Sequence, residues 1–190
     1  MKFKNIFLKS TFYILFILYI LIFIGYQFWI SIFHSSFNLI SLTAVLFPFA
    51  FLLIYQWLMW KYQISKIKGK EKSVFKVIII LGIIPPLYSL IILGLNEYNN
   101  HFTVEKWMKS PEKRVYMVDD LLTKYKLTGK SKNEVEMLLG KATQDAYFKE
   151  YDNIVYHLGF ERGLISIDSE WLVISFNGSG KVGKVKVITD

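Results

Sequence analysis

The chain of 190 residues contains no cysteine. That excludes disulfides, thiolate metal sites, a cysteine nucleophile and a lipidated N-terminal cysteine. Acidic residues are almost missing from the first half: residues 1–96 hold nine lysines and one acid, Glu71. Charge of either sign is missing altogether from three long stretches of that half. The formal net charge of +8 and pI near 9.4 would point to nucleic acid in a soluble protein. Residues 97–190 carry 14 basic and 14 acidic side chains, so the whole excess lies in the first half. No aromatic platform surrounds those lysines, and nucleic acid is not an expected partner.

The uncharged stretches are the positive content of the first half. Residues 11–30, TFYILFILYILIFIGYQFWI, include 13 Leu, Ile or Phe. At about 0.5 kcal/mol each, insertion of such a helix into a bilayer gains roughly 6 kcal/mol. Further runs at residues 37–60 and 77–95 are also long enough to span. The first run follows Lys2, Lys4 and Lys9, as a signal peptide would, but it is too long and has no small-residue cleavage site, so a retained anchor is expected. Lysines cluster before the first run and again at Lys61, Lys66, Lys68, Lys70, Lys72 and Lys76, whereas the link at residues 32–36 has none. The positive-inside rule then sets the N-terminus and the second connection in the cytoplasm and residue 97 onward outside it. The second connection would also rest on anionic headgroups. Pro48, Pro85 and Pro86 remove backbone donors within the spans and predict kinks, with hydroxyls such as Ser89 meeting the freed carbonyls.

Residues 97–126 read as a juxtamembrane stalk followed by a helix. Tyr98 and Trp107 suit the headgroup layer. Glu97 and His101 share a helical face, but one pair falls short of a metal site, and neither metal nor cofactor is expected. Ser110 and Pro111 open a helix whose apolar face is Val115, Val118, Leu121, Leu122 and Tyr125.

In residues 127–142, LTGKSKNEVEMLLGKA, the Gly-Lys-Ser imitates the end of a phosphate loop. Such a loop needs glycine five residues earlier, where Lys124 stands, and a strand leading in, where a helix is expected. Ser131 and Glu134 instead form a capping box, Val135, Leu138 and Leu139 a buried face, and Gly140 a stop. Beyond it the period changes to two. AYFKEY and IVYHLG flank a turn at Asp152-Asn153, WLVISF points Leu172, Ile174 and Phe176 to one side, and NGSG turns into a strand with Val185 and Val187 inward and Lys184 and Lys186 outward. The expected fold is an α+β membrane protein: three transmembrane helices in residues 1–96, then two helices on an antiparallel sheet of three or four strands.

Gly129, Ser131, Glu134, Val135, Leu138, Leu139 and Gly140 stand as in the Gly-x-[Ser/Thr]-x-x-[Gln/Glu]-Val-x-x-Leu-Leu-Gly-x-Pro element of the SmpA/OmlA (BamE-like) outer-membrane assembly lipoproteins, and WLVISFNGSGKV is similar to that family's penultimate strand and turn. Residues 127–190 thus resemble a domain whose fold, shared with β-lactamase inhibitor protein, packs two helices on an antiparallel sheet. Ala142 replaces the family's usual proline, and helical spans replace its lipid anchor, which implies the cytoplasmic membrane. The resemblance implies a protein-binding module outside the cytoplasm, serving envelope assembly or maintenance, without chemistry of its own. A membrane-bound regulatory or immunity protein would use the same architecture. The competing enzyme reading would draw on His157 with Asp168, Glu170 and Ser166 or Ser169.

Overall fold

A computed structural model describes residues 2–62 and 70–190, which form two units, one ending at Asn96 and the other beginning at Glu97. The first unit holds helices α1 (Lys2–Phe33), α2 (Leu39–Tyr62) and most of α3 (Lys70–Asn100). Each contains a segment long and apolar enough to cross a membrane: Ser10–Phe33, Leu39–Met59 and Lys76–Asn100. Most of their large apolar side chains point outward, as expected where the surroundings are themselves apolar. Among the lysines expected to set topology, Lys61 lies in the last turn of α2, Lys70, Lys72 and Lys76 lie in the first two turns of α3, and Lys66 and Lys68 fall outside the described residues.

Where the helices meet, aromatic and polar contacts tie them. Phe23 and Leu93 are buried in a cluster with Tyr19, Val45 and Leu52. Helix α3 stays helical through Pro85 and Pro86. Pro86 has no N–H to offer the carbonyl of Gly82, and the hydroxyl of Tyr19 in α1 donates to that oxygen at 2.6 Å. Ser89 donates to the Pro85 carbonyl at 3.0 Å and accepts from the Gln27 amide at 2.5 Å. Near the other end the Asn96 amide donates to the Ser35 carbonyl at 2.9 Å. The Gly82 carbonyl freed by Pro86 is thus met, but by Tyr19 rather than by Ser89, whose hydroxyl goes to the Pro85 carbonyl.

The second unit comprises α4 (Val104–Lys109), a 3-10 turn (Pro111–Lys113), α5 (Arg114–Lys124), α6 (Lys132–Leu139) and strands β1 (Asn153–Phe160), β2 (Ser169–Phe176) and β3 (Val182–Thr189). The strands form an antiparallel meander in the order β1-β2-β3. Leu172 and Ile174 of β2, Tyr156 and Leu158 of β1, Val115, Val118 and Leu121 of α5, and Val135 and Leu139 of α6 share one core. Each fully buried aliphatic chain there stabilises the fold by roughly 1.5–3 kcal/mol.

Three local expectations are corrected. Trp107 does not sit at a headgroup layer: it is wholly buried in α4, edge-on to Phe102 and Tyr156. Ser110 caps no helix through its side chain; Thr103 instead caps α4 by accepting from the Lys106 N–H, and the helix after Ser110 begins as a 3-10 turn. Residues 146–151 form turns rather than a strand, so no hairpin centres on Asp152-Asn153. The Asn153 side chain holds that segment instead, accepting from the Glu150 N–H and donating to the Phe148 carbonyl, both at 2.9 Å.

Candidate interaction surface

The residues singled out around α6 come together as a helix with both ends closed. The Ser131 hydroxyl accepts from the Glu134 N–H, and the Glu134 carboxylate accepts from the Ser131 N–H at 2.7 Å and from its hydroxyl at 2.6 Å. Those hydrogen bonds, with Lys181 and Lys130 nearby, hold the Glu134 carboxyl down at about 2. Gly129, at φ 86°, donates its N–H to the Val182 carbonyl, and Val182 donates back to Lys130, so the lead-in to α6 is stitched to the start of β3. At the far end the carbonyls of Leu139 and Gly140, which lack intrahelical partners, accept from the Trp107 indole at 3.1 Å and the Tyr156 hydroxyl at 2.8 Å. Val135 and Leu139 are buried and Leu138 half-buried. These side chains build the domain, leaving Lys132, Asn133 and Met137 on the helix's open side.

Two residues of the enzyme reading, His157 and Glu170, stand on opposite faces of the sheet. The His157 ring stacks edge-on against Trp171 at 4.8 Å on the outer face of the sheet. Glu170 precedes Trp171 and so projects to the other face, where it is buried. Glu97 and His101 lie 3.5 Å apart, and no group of three or more possible ligands occurs among the described residues.

Glu170 belongs to a different device, which the sequence did not reveal. Arg162, in the β1–β2 connection, donates through Nε and Nη2 to the two oxygens of Glu170 at 3.1 and 3.0 Å, its own N–H donates to Glu170 Oε1 at 3.0 Å, and Nη1 reaches Asp119 of α5 at 2.5 Å. Burial opposes the guanidinium charge, but hydrogen bonds and charges from Glu170 and Asp119 outweigh it and hold Arg162 above its ordinary range. Asp119 lies 43 residues from Arg162 in sequence, which no local motif can announce.

The clasp fixes the base of a connection whose apolar residues have no core to enter. Phe160, the last residue of β1, and Leu164, Ile165 and Ile167 of the connection are 66–76% exposed. Four large apolar side chains thus stand exposed within eight residues, beside a charged clasp. Its signal in sequence is the run FERGLISI, apolar where a polar turn is the norm.

No protein-family model, curated protein or solved structure matches the chain.

Proposed function

We propose that this is a three-span membrane protein whose C-terminal domain is a protein-binding module outside the cytoplasm. Three helices of spanning length and composition support the anchor. The lysines flanking the first run and the second connection, with none in the first link, support a cytoplasmic N-terminus. The capped α6 and the helix-then-meander order are what a BamE-like module would have, and envelope assembly or maintenance is the role that resemblance favours.

The observation that carries the binding function is the exposed apolar patch of the β1–β2 connection. Arg162 ties its root to Glu170 and Asp119, so a partner would gain burial with the base of the loop already ordered. The first test is topology, which the cysteine-free chain makes direct. Single cysteines replacing Ser65 and Ser169 are treated with an impermeant thiol reagent on intact cells; labelling at 169 alone is expected, and labelling at 65 alone overturns the orientation. The second is a photo-crosslinker at Ile165 in cells. It is expected to trap one discrete protein, lost on Leu164→Asp; adducts to lipid alone, or none, sink the binding reading.

A further inference from the structure

The sheet ends in β3, whose outer edge is only partly used. Around Val182 that edge is taken up by residues 129–131, through the Gly129 and Val182 backbone bonds and a bridge between Ser131 and Lys181. The pairing pattern tells which groups remain further along. On β1, Val155 and His157 bond outward to Thr143, so Trp171 and Val173, their partners on β2, turn their backbone groups toward β3. They meet Ile188 and Lys186 there, and the Asp190 N–H, donated to Ser169, keeps the same phase. The backbone N–H and C=O groups of Val185, Val187 and Thr189 therefore face away from the sheet, and among the described residues none has a backbone partner.

Two side-chain features flank this free edge. On its inner side lies a shallow hollow of about 310 Å³ lined by Leu122, Tyr125, Leu127 and Val185 among others. On the outer side Lys184 and Lys186 are exposed, with Lys126 exposed at the rim of the hollow, and none of the three is in an ion pair among the described residues. A strand laid along the edge would point alternate residues at the hollow and at the lysines.

We propose that β3 receives an extended segment of a partner protein, apolar and acidic residues alternating, as a fourth strand. This rests on the protein-binding reading above and names the partner's chemistry. Charge decides the occupant. A second copy of β3 would bring its own Lys184 and Lys186 to the face that already carries two, and like charges across a strand pair repel. An acidic strand pairs with them, and its apolar residues cover the hollow. The same lysines thus discourage self-pairing and select the guest.

The test uses the full chain in phosphatidylcholine nanodiscs and a seven-residue peptide alternating glutamate and valine, with a lysine-valine peptide and a non-alternating glutamate-valine isomer as controls. The expected result is binding at least tenfold tighter than either control, with hydrogen exchange slowed at Val185, Val187 and Thr189. Val187→Pro, which removes an outward N–H, is expected to abolish binding while the amides of Leu172 and Ile174 stay protected. Should that variant unfold, the Lys184→Glu, Lys186→Glu double variant serves instead and is expected to prefer the lysine-valine peptide. Equal affinity for all three peptides, binding indifferent to both variants, or dimers crosslinked through Lys186→Cys each overturn the proposal. If the Ile165 photo-crosslinker still traps its protein in that event, the binding module stands and the β3 edge alone is refuted; if it traps nothing, both fall.

Discussion

Gly159 offers the sharpest check on the packing of the second unit. It sits at the irregularity in β1 between His157 and Gly159, with φ at 122°, directly beneath the 3-10 turn. A Cβ there would lie 2.3 Å from the carbonyl oxygen of Glu112 and 3.0 Å from its carbonyl carbon. Both obstacles are backbone, so no side chain can swing aside. Gly159→Ala must therefore carry about 1–3 kcal/mol of strain at a positive φ. Moving the turn away from the core adds roughly 1–3 kcal/mol of overpacking. A total near 3 kcal/mol is a large part of the roughly 5–15 kcal/mol that holds a domain together. Read through the slowest amides of β2, Leu172 and Ile174, that loss is on the order of a hundredfold faster exchange. Gly178→Ala is the control, since among the described residues nothing lies within 4 Å of its added carbon. If Gly159→Ala exchanges within threefold of the native chain, the close approach of β1 to the turn is wrong.

Arg162→Met leaves Glu170 buried without its cation, at a cost of about 2–3 kcal/mol once the partial exposure of Arg162 is allowed for; urea unfolding of the domain should fall by that amount, and an unchanged midpoint would show the clasp to be idle. Tyr19→Phe removes the donor to Gly82 and should weaken the first unit by about 0.6–1.7 kcal/mol, measured as a lower detergent-denaturation midpoint, with no loss of stability in the second unit. Glu134, held at about 2 in the folded chain against an ordinary 4.5, contributes stability that is fully present above pH 4.5 and is lost as pH falls toward 2. Carboxyl-carbon NMR should show that low midpoint and its return toward 4.5 in Ser131→Ala; a native midpoint above 4 contradicts the capping geometry.

What could be read from the sequence was local. Three uncharged runs announce their helices without help from any partner, and the capping box needs only Ser131 and Glu134, three residues apart. The strand faces of Leu172, Ile174, Val185 and Val187 follow from period two, and all four meet the core. What escaped depended on distance. Trp107 looks like an interfacial tryptophan until Leu139, 32 residues on, offers its carbonyl. Residues 146–151 alternate like a strand, but Asn153 folds them into turns, and Thr143 takes the edge of β1 they were expected to pair with. The Arg162 clasp joins α5 to the start of β2, a meeting that only the folded chain brings about.

The bond from Tyr19 to Gly82 also says something about the order in which the chain comes together. Pro86 makes α3 a helix with an unanswered oxygen, and in apolar surroundings that oxygen is costly until a hydroxyl reaches it. The hydroxyl sits 63 residues earlier, on α1, which leaves the ribosome before α3 does. Helix α3 is thus incomplete when it is made and is finished by α1. A chain deprived of α1 would lose more than a tether: its third helix would have a gap in its own backbone ladder, and the defect would mark it as unassembled.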